Sequence, residues 1–527
     1  MTYLPSAQRI LRPLLAAALV LTTLALASTA QAAPVGAYTT KGTWHFHSAP
    51  NLHPPKLNVL QRKGGLANGD FLVANLPGAD LGPMTGEGGP MILDNRARPV
   101  WVLGVGRKLE AADLQQETYE KCGAATCAQP VLVWWEGVNT TRGITLKGEV
   151  FVADESYRII RTLKAASPWV ISLHDASIVG HDMWVTVYRL VPHQNLKPYG
   201  GSHKGTVYDV GLQEYDLTTG KQVGQTWDAL NPGHKANVPL SASETPVPHS
   251  GSWDAYHLNA VQALPDGNLL VSMRNTEAVY LLNPKSGTIL WTLGGKHSTF
   301  KFGKGAAFHW QHDAQLVKPT TDGMGTDVKL TVFNDNCCEI KADGTFGSTS
   351  GPSEGTVLRL NTVKKSAKLV KAYRHQPSDL KAGFLGSMAL LPNNNALVGW
   401  GSDFGPSTYF SEYTQSGKQI MDVQWPHKDQ SYRALYAQTP SSGPCPTGDT
   451  TCWIGTPFYK PKGAVQKKTV YASWNGATQV AKWQVLAGSS AAHLKKVGSQ
   501  ASSGFETAIA LKKSYGAYEV QALDAKG

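Results

Sequence analysis

The sequence predicts an all-β protein: a six-bladed β-propeller followed by a small β-sandwich of the fibronectin type III or immunoglobulin kind. Three observations carry that expectation. Short apolar runs recur along most of the chain, separated by clusters of turn-forming residues. The composition, with Gly 53, Pro 31 and Trp 15, suits strands and turns better than long helices. At 527 residues the chain is also too long for one ordinary core unless repeats build a larger disc.

The chain opens on a different pattern. Arg9 and Arg12 precede an apolar run from Leu14 to Ala27, and Ala30-Gln31-Ala32 satisfies the small-residue rule for signal-peptidase cleavage. Residues 1–32 are therefore read as a signal peptide, which implies a secreted, cell-surface or periplasmic protein. The run is short for a bilayer span and no later segment is long enough, so no stable membrane span is expected.

Residues 33–435 hold the expected propeller. The stretch from Thr43 to about Leu60 has little periodicity and is expected to lie along the first blade. Runs at Gly69 to Leu76, Pro90 to Asn95 and Pro99 to Val105 form that blade, and those at Pro130 to Gly137, Gly148 to Asp154 and Tyr157 to Leu163 a second. Met183 to Val191 and Val207 to Trp227 belong to a third. The fourth, Trp253 to Gly295, is the most complete: AVQAL, LLVSM, AVYLL and TILWTL are parted by PDGN, RNTE and NPKSG, four short strands with tight turns. A fifth ends near His375, and the sixth repeats the fourth at an offset of 127 residues, with Leu391 to Asn395 matching Leu264 to Asn268. Residues 436–455 are read as a disulfide-pinned linker and 456–527 as the sandwich, with Trp474 and Trp483 in its core.

Cysteine and charge narrow the function. The six cysteines form local pairs, Cys122 with Cys127, Cys337 with Cys338, and Cys445 with Cys452, which an oxidising compartment closes as staples. None has CxxC spacing, so no metal site is expected. The formal charge is +11, or +9 once the two signal arginines are removed. The lysines are scattered and there is no Arg-rich arm or recognition-helix pattern, so no nucleic-acid partner is expected. An anionic small substrate remains compatible. Phosphate loops, HExxH and GxSxG are absent.

What remains is a set of polar residues at blade starts: Asp254, His257 and Asn259; Ser272 and Arg274; Gln311, His312 and Asp313; and Asn334, Asp335 and Asn336. First strands of a propeller line its channel, so histidines far apart in sequence converge there. Two imidazoles and an arginine suit an oxyanion, which they can bind, protonate or attack.

These motifs, with Trp291 to Gly295 and Gly399 to Ser402, together resemble the arylsulfotransferase family over most of Pro34 to Arg433. The resemblance implies an exported six-bladed propeller that moves a sulfuryl group from a phenolic sulfate ester donor to a phenolic acceptor. It implies no nucleotide donor or other cofactor, and passage through a sulfated histidine. His257 and His312 match two of the family's active-site histidines, Arg274 or Arg359 is expected to neutralise the sulfuryl oxygens, and Asn259, Asp313 and Asn336 to contact substrate. The nucleophile is expected on a later blade, where the 127-residue offset puts Phe384; His375 is the nearby substitute. The alternative is a non-catalytic exported propeller that binds an anionic ligand or surface glycan.

Overall fold

A computed structural model describes residues 38–77, 84–106, 109–139, 143–317, 323–338, 351–402, 407–427, 429–440, 445 and 451–527. The expected signal peptide lies outside them. The protein is all-β, and among the described residues the only helices are three single 3-10 turns. None of them is long and apolar enough to cross a membrane.

Six mainly antiparallel sheets follow one another along the chain; in five of them the first strand of the run paired in chain order forms one edge, and in the first sheet Asp429–Gln430 and Leu435–Ala437 pair beyond it. Those first strands are Asp70–Pro77, Glu110–Glu120, Val170–Val179, Leu258–Ala263, His312–Leu316 and Ser387–Leu390. Consecutive ones abut from the first sheet to the sixth, and Asp70–Pro77, Val170–Val179, Leu258–Ala263 and His312–Leu316 are almost wholly buried because they are packed on both faces. The fourth sheet holds the expected strands: Leu258–Ala263, Leu269–Met273, Ala278–Asn283 and Thr288–Gly294 pair in chain order.

Two chain segments pair outside their own sequence neighbourhood. Asn58–Arg62 pairs with Gln419–Gln424 at the outer edge of the sixth sheet, so the early stretch does not simply follow the first blade. Leu435–Ala437 instead joins the first sheet, against Asp70–Leu72. The segment read as a linker is partly fixed: Trp453 is fully buried and its indole N–H donates to the Tyr157 hydroxyl at 3.1 Å.

The last residues form two three-stranded sheets. One joins Lys462–Gln466, Thr469–Ser473 and Glu506–Ala510; the other joins Lys482–Gly488, Lys495–Ala501 and Ala517–Leu523. Val470, Trp483, Val485 and Ile509 fill the space between them, with Trp474 half-buried at the side. Asn475 clamps this unit to the first sheet, its side chain both accepting from Val102 N–H and donating to Val102 C=O at 2.9 Å. The sulfurs of all three expected cysteine pairs lie at bonding distance.

Candidate active site

The first strands share a local irregularity that builds the site. Pairing slips between Ile171 and Ala176, between Leu258 and Ala260, and between His312 and Gln315. These bulges re-aim side chains, and His257 and Asp313 take left-handed backbone angles there, with φ of 53° and 50°. The result is a buried cluster of His174, His257, His312 and Arg274, each 6% exposed or less.

Hydrogen bonds fix the proton positions in the cluster. His257 Nδ1 lies 2.5 Å from Asp254 Oδ2, and His257 Nε2 lies 3.2 Å from His174 Nε2. His174 Nδ1 is in turn 2.5 Å from the Ser172 hydroxyl. Burial holds both imidazoles well below the usual histidine range, and nearby Arg274 adds to the effect. A neutral ring carries one N–H. His257 donates its Nδ1–H to the Asp254 carboxylate, so its Nε2 accepts from His174 Nε2–H, and His174 Nδ1 accepts from Ser172. Ser172, His174, His257 and Asp254 thus form one continuous chain.

His312 stands apart from that chain. Its Nδ1 faces Asp335 Oδ2 at 2.7 Å, and its Nε2 accepts a longer bond, 3.3 Å, from the Leu385 backbone N–H. Burial, and then Arg274, push its pKa well down; burial pushes that of Asp335 well up. The Tyr432 ring lies edge-on to both His174 and His312, at centroid distances of 5.6 and 6.5 Å.

Arg274 is the cation of the cluster. It sits on the fourth sheet just after Leu269–Met273, stacked over the Trp310 ring at 4.4 Å. Its Nε donates to Asn275 Oδ1 at 2.9 Å. Among the described residues, no hydrogen bond or ion pair takes its two terminal nitrogens. A buried guanidinium with an open fork is a receptor for an oxyanion.

The other expected residues are placed elsewhere. Arg359 is half-exposed and pairs with Asp327 at 3.0 Å, on a strand two removed from the inner one. His375 lies between Asp422 and the Ser378 carbonyl, at 3.2 and 2.9 Å, away from the cluster. Asn259 and Asp313 hold strands together, through Gln311 C=O at 2.7 Å and Met388 N–H at 3.0 Å, and Asn336 donates to Pro352 C=O at 3.1 Å. Phe384 extends the sixth sheet's inner edge, bridging to Ser402.

His174 and Ser172 were not among the expected residues, although a signal exists. His-Asp-Ala occurs at His174 to Ala176 and again at His312 to Ala314, both on first strands. In each copy the histidine enters the cluster. The aspartates, Asp175 and Asp313, turn instead to Arg433, within 3.0 and 3.5 Å.

Successive β-sheets whose first strands bring together a buried cluster of three histidines and one arginine define an all-β protein with a polar centre. A model of the arylsulfotransferase (ASST) family matches residues 127–425, which span the whole cluster from Ser172 to Asp335. The chain belongs to that family. Membership supports a sulfotransferase-like function on phenolic substrates. Similarity to solved structures is low. A protein of unknown function from Bacteroides caccae is 9% identical, covering 70% of this chain and 99% of its own, with a TM-score of 0.38. The Myceliophteria thermophila Cps50 (Swd1) beta-propeller domain is 10% identical over 69% of this chain and 93% of its own, with a TM-score of 0.29. No curated protein matches the chain.

Proposed function

We propose that this protein is an exported aryl-sulfate sulfotransferase, with residues 33–435 forming a six-bladed propeller and 456–527 a fibronectin type III-like module. The observation that carries the reading is the open fork of Arg274 amid three neutral imidazoles. An aryl sulfate brings a monoanionic group whose oxygens suit that fork.

His312 is the nucleophile in this reading. Its Nδ1–H is held by Asp335, which leaves the Nε2 lone pair opposed only by the long contact from Leu385. Nε2 attacks sulfur, the ester S–O bond breaks, and its electron pair leaves on the aryl oxygen. The aryl oxygen departs as phenolate, its charge met by a hydrogen bond from the His174–His257 pair. In the second half the acceptor phenol gives its proton to the same neutral pair, its oxygen attacks sulfur, the N–S bond pair returns to Nε2, and the pair releases that proton to solvent, which balances the departed phenolate. Arg274 balances the sulfuryl oxygens throughout.

The test is incubation of the purified protein with 4-nitrophenyl sulfate, with and without a phenolic acceptor. Nitrophenol release that depends on the acceptor, together with a sulfated acceptor product, is expected. Tight binding of the ester without turnover would instead establish the ligand-binding alternative.

A further inference from the structure

The positive charge of the protein is not spread evenly. Residues 456–527 carry ten lysines, no arginine and three acidic residues, a net +7, whereas the 455 residues before them hold 39 basic against 35 acidic. The basic character of the chain thus resides in its smallest structural unit.

Strand pairing gathers most of that charge at one end. Lys467 and Lys468 form the turn before Thr469–Ser473, whose first residue pairs with Ala510 at the end of Glu506–Ala510. Lys512 and Lys513 follow directly, fastened by Leu511 N–H to Lys468 C=O at 2.8 Å and by the Ser514 hydroxyl to Lys467 C=O at 3.4 Å. In the facing sheet, Lys495 opens its strand opposite Ala487, and Gly516 N–H reaches Gly488 C=O at 2.9 Å beside it. Five lysines, all exposed, therefore share one tip built from three turns, and those turns contain no acidic residue. Glu519, the nearest acidic residue by register, lies inside its strand and accepts from Gln521.

We propose that this lysine tip docks the protein onto a polyanionic polysaccharide. Clustered, hydrated ammonium groups on independent turns suit a flexible chain of repeating anions, which exchanges its counterions for them. Nucleic acid fits less well, because the unit has no arginine fork and its tip has no exposed aromatic face for stacking. Tyr515 is half-buried beneath Lys513, whose Nζ lies 5.3 Å from its ring centroid. An anionic bilayer also fits less well, since none of the three turns exposes a large apolar side chain to insert.

The experiment compares the full-length protein with two fourfold variants: one of the tip, Lys467→Gln, Lys468→Gln, Lys512→Gln and Lys513→Gln, and one of the larger unit, Lys301→Gln, Lys304→Gln, Lys364→Gln and Lys368→Gln. Binding to immobilised heparin is read across a salt series, with anionic phosphatidylglycerol vesicles and single-stranded DNA as competitors. The tip variant is expected to elute at lower salt, with the slope of log affinity against log salt reduced by about three to four, while the control variant shifts by less than about one. Equal shifts in both variants, or none in the tip variant, would overturn the proposal. So would tighter tip-dependent binding to vesicles or DNA than to heparin.

Discussion

Two buried polar regions lie side by side on the same inner strands and differ in one respect. Around Arg433, Asp113 and Asp175 lie within 3.1 Å and Asp313 within 3.5 Å, and the guanidinium also donates to Asn259 C=O at 3.0 Å. The three carboxylates come from the second, third and fifth sheets, so one cation ties the inner strands together. Around Arg274 the arrangement is reversed: the fork is open, and its neighbours are imidazoles kept neutral by burial. His174 and Asp175 are adjacent, as are His312 and Asp313, and in each pair one residue serves each region. The lesson is that a cation ringed by carboxylates from several sheets ties strands together, whereas one with an open fork keeps hydrogen-bonding capacity for a ligand.

The comparison can be broken at either region. The largest effect is expected from His312→Ala, which removes the proposed nucleophile and lowers kcat for aryl-sulfate transfer by about a thousandfold or more, with the melting temperature little changed. A comparable loss of stability without chemical logic would put His312 in the structural class. Arg433→Met should do the opposite: it strands buried carboxylates and costs about 3–5 kcal/mol in urea unfolding. Ser172→Ala is smaller, about ten- to a hundredfold in kcat with KM held. Ser172→Thr, which keeps the hydroxyl, should restore most of it, and a merely structural role for Ser172 would not show that rescue through the pH profile of kcat.

A still smaller effect follows from protonation. Because burial lowers the pKa of His174, the folded protein binds fewer protons at this site than the unfolded chain, whose histidines titrate near 6.5. This contribution therefore weakens stability as pH falls below about 6.5. Buried acids act with the opposite sign: Glu87, pushed up to about 7, and Asp429, up to about 8, lose stability as pH rises through those values. The urea midpoint difference between pH 7.5 and 5.5 isolates the histidine when His174→Gln is compared with the unsubstituted protein; the acid-side loss should be smaller in the variant. Least of all, Arg359→Ala should change activity and stability within about 0.5 kcal/mol, since its ion pair with Asp327 is solvent-exposed.

The sheets were legible in the sequence wherever turns were tight and strands strongly apolar, as from Trp253 to Gly295. Glu110–Glu120 was missed because EAADLQQETYE lacks the apolar run of a strand; it is fixed by pairing with Ala128–Asn139. The edge placements of Asn58–Arg62 and Leu435–Ala437 depend on partners more than 350 residues away, which no local pattern encodes. Within the site, His257, Arg274 and His312 were legible from motif and blade position. The third imidazole was sought on the sixth sheet by repeat offset, where Phe384 stands. His174 supplies it from the third sheet, because convergence on one place requires only that inner strands meet, not that repeats match.

The central claim is that His312 carries the sulfuryl group between donor and acceptor. The most direct measurement is to mix the protein with 4-nitrophenyl sulfate without acceptor, quench under alkaline conditions, and map peptides by mass spectrometry. A sulfuryl adduct on the peptide bearing His312, which disappears when a phenol is added before the quench, is the expected result. An adduct on His174 or His257, or turnover without any adduct, would contradict it.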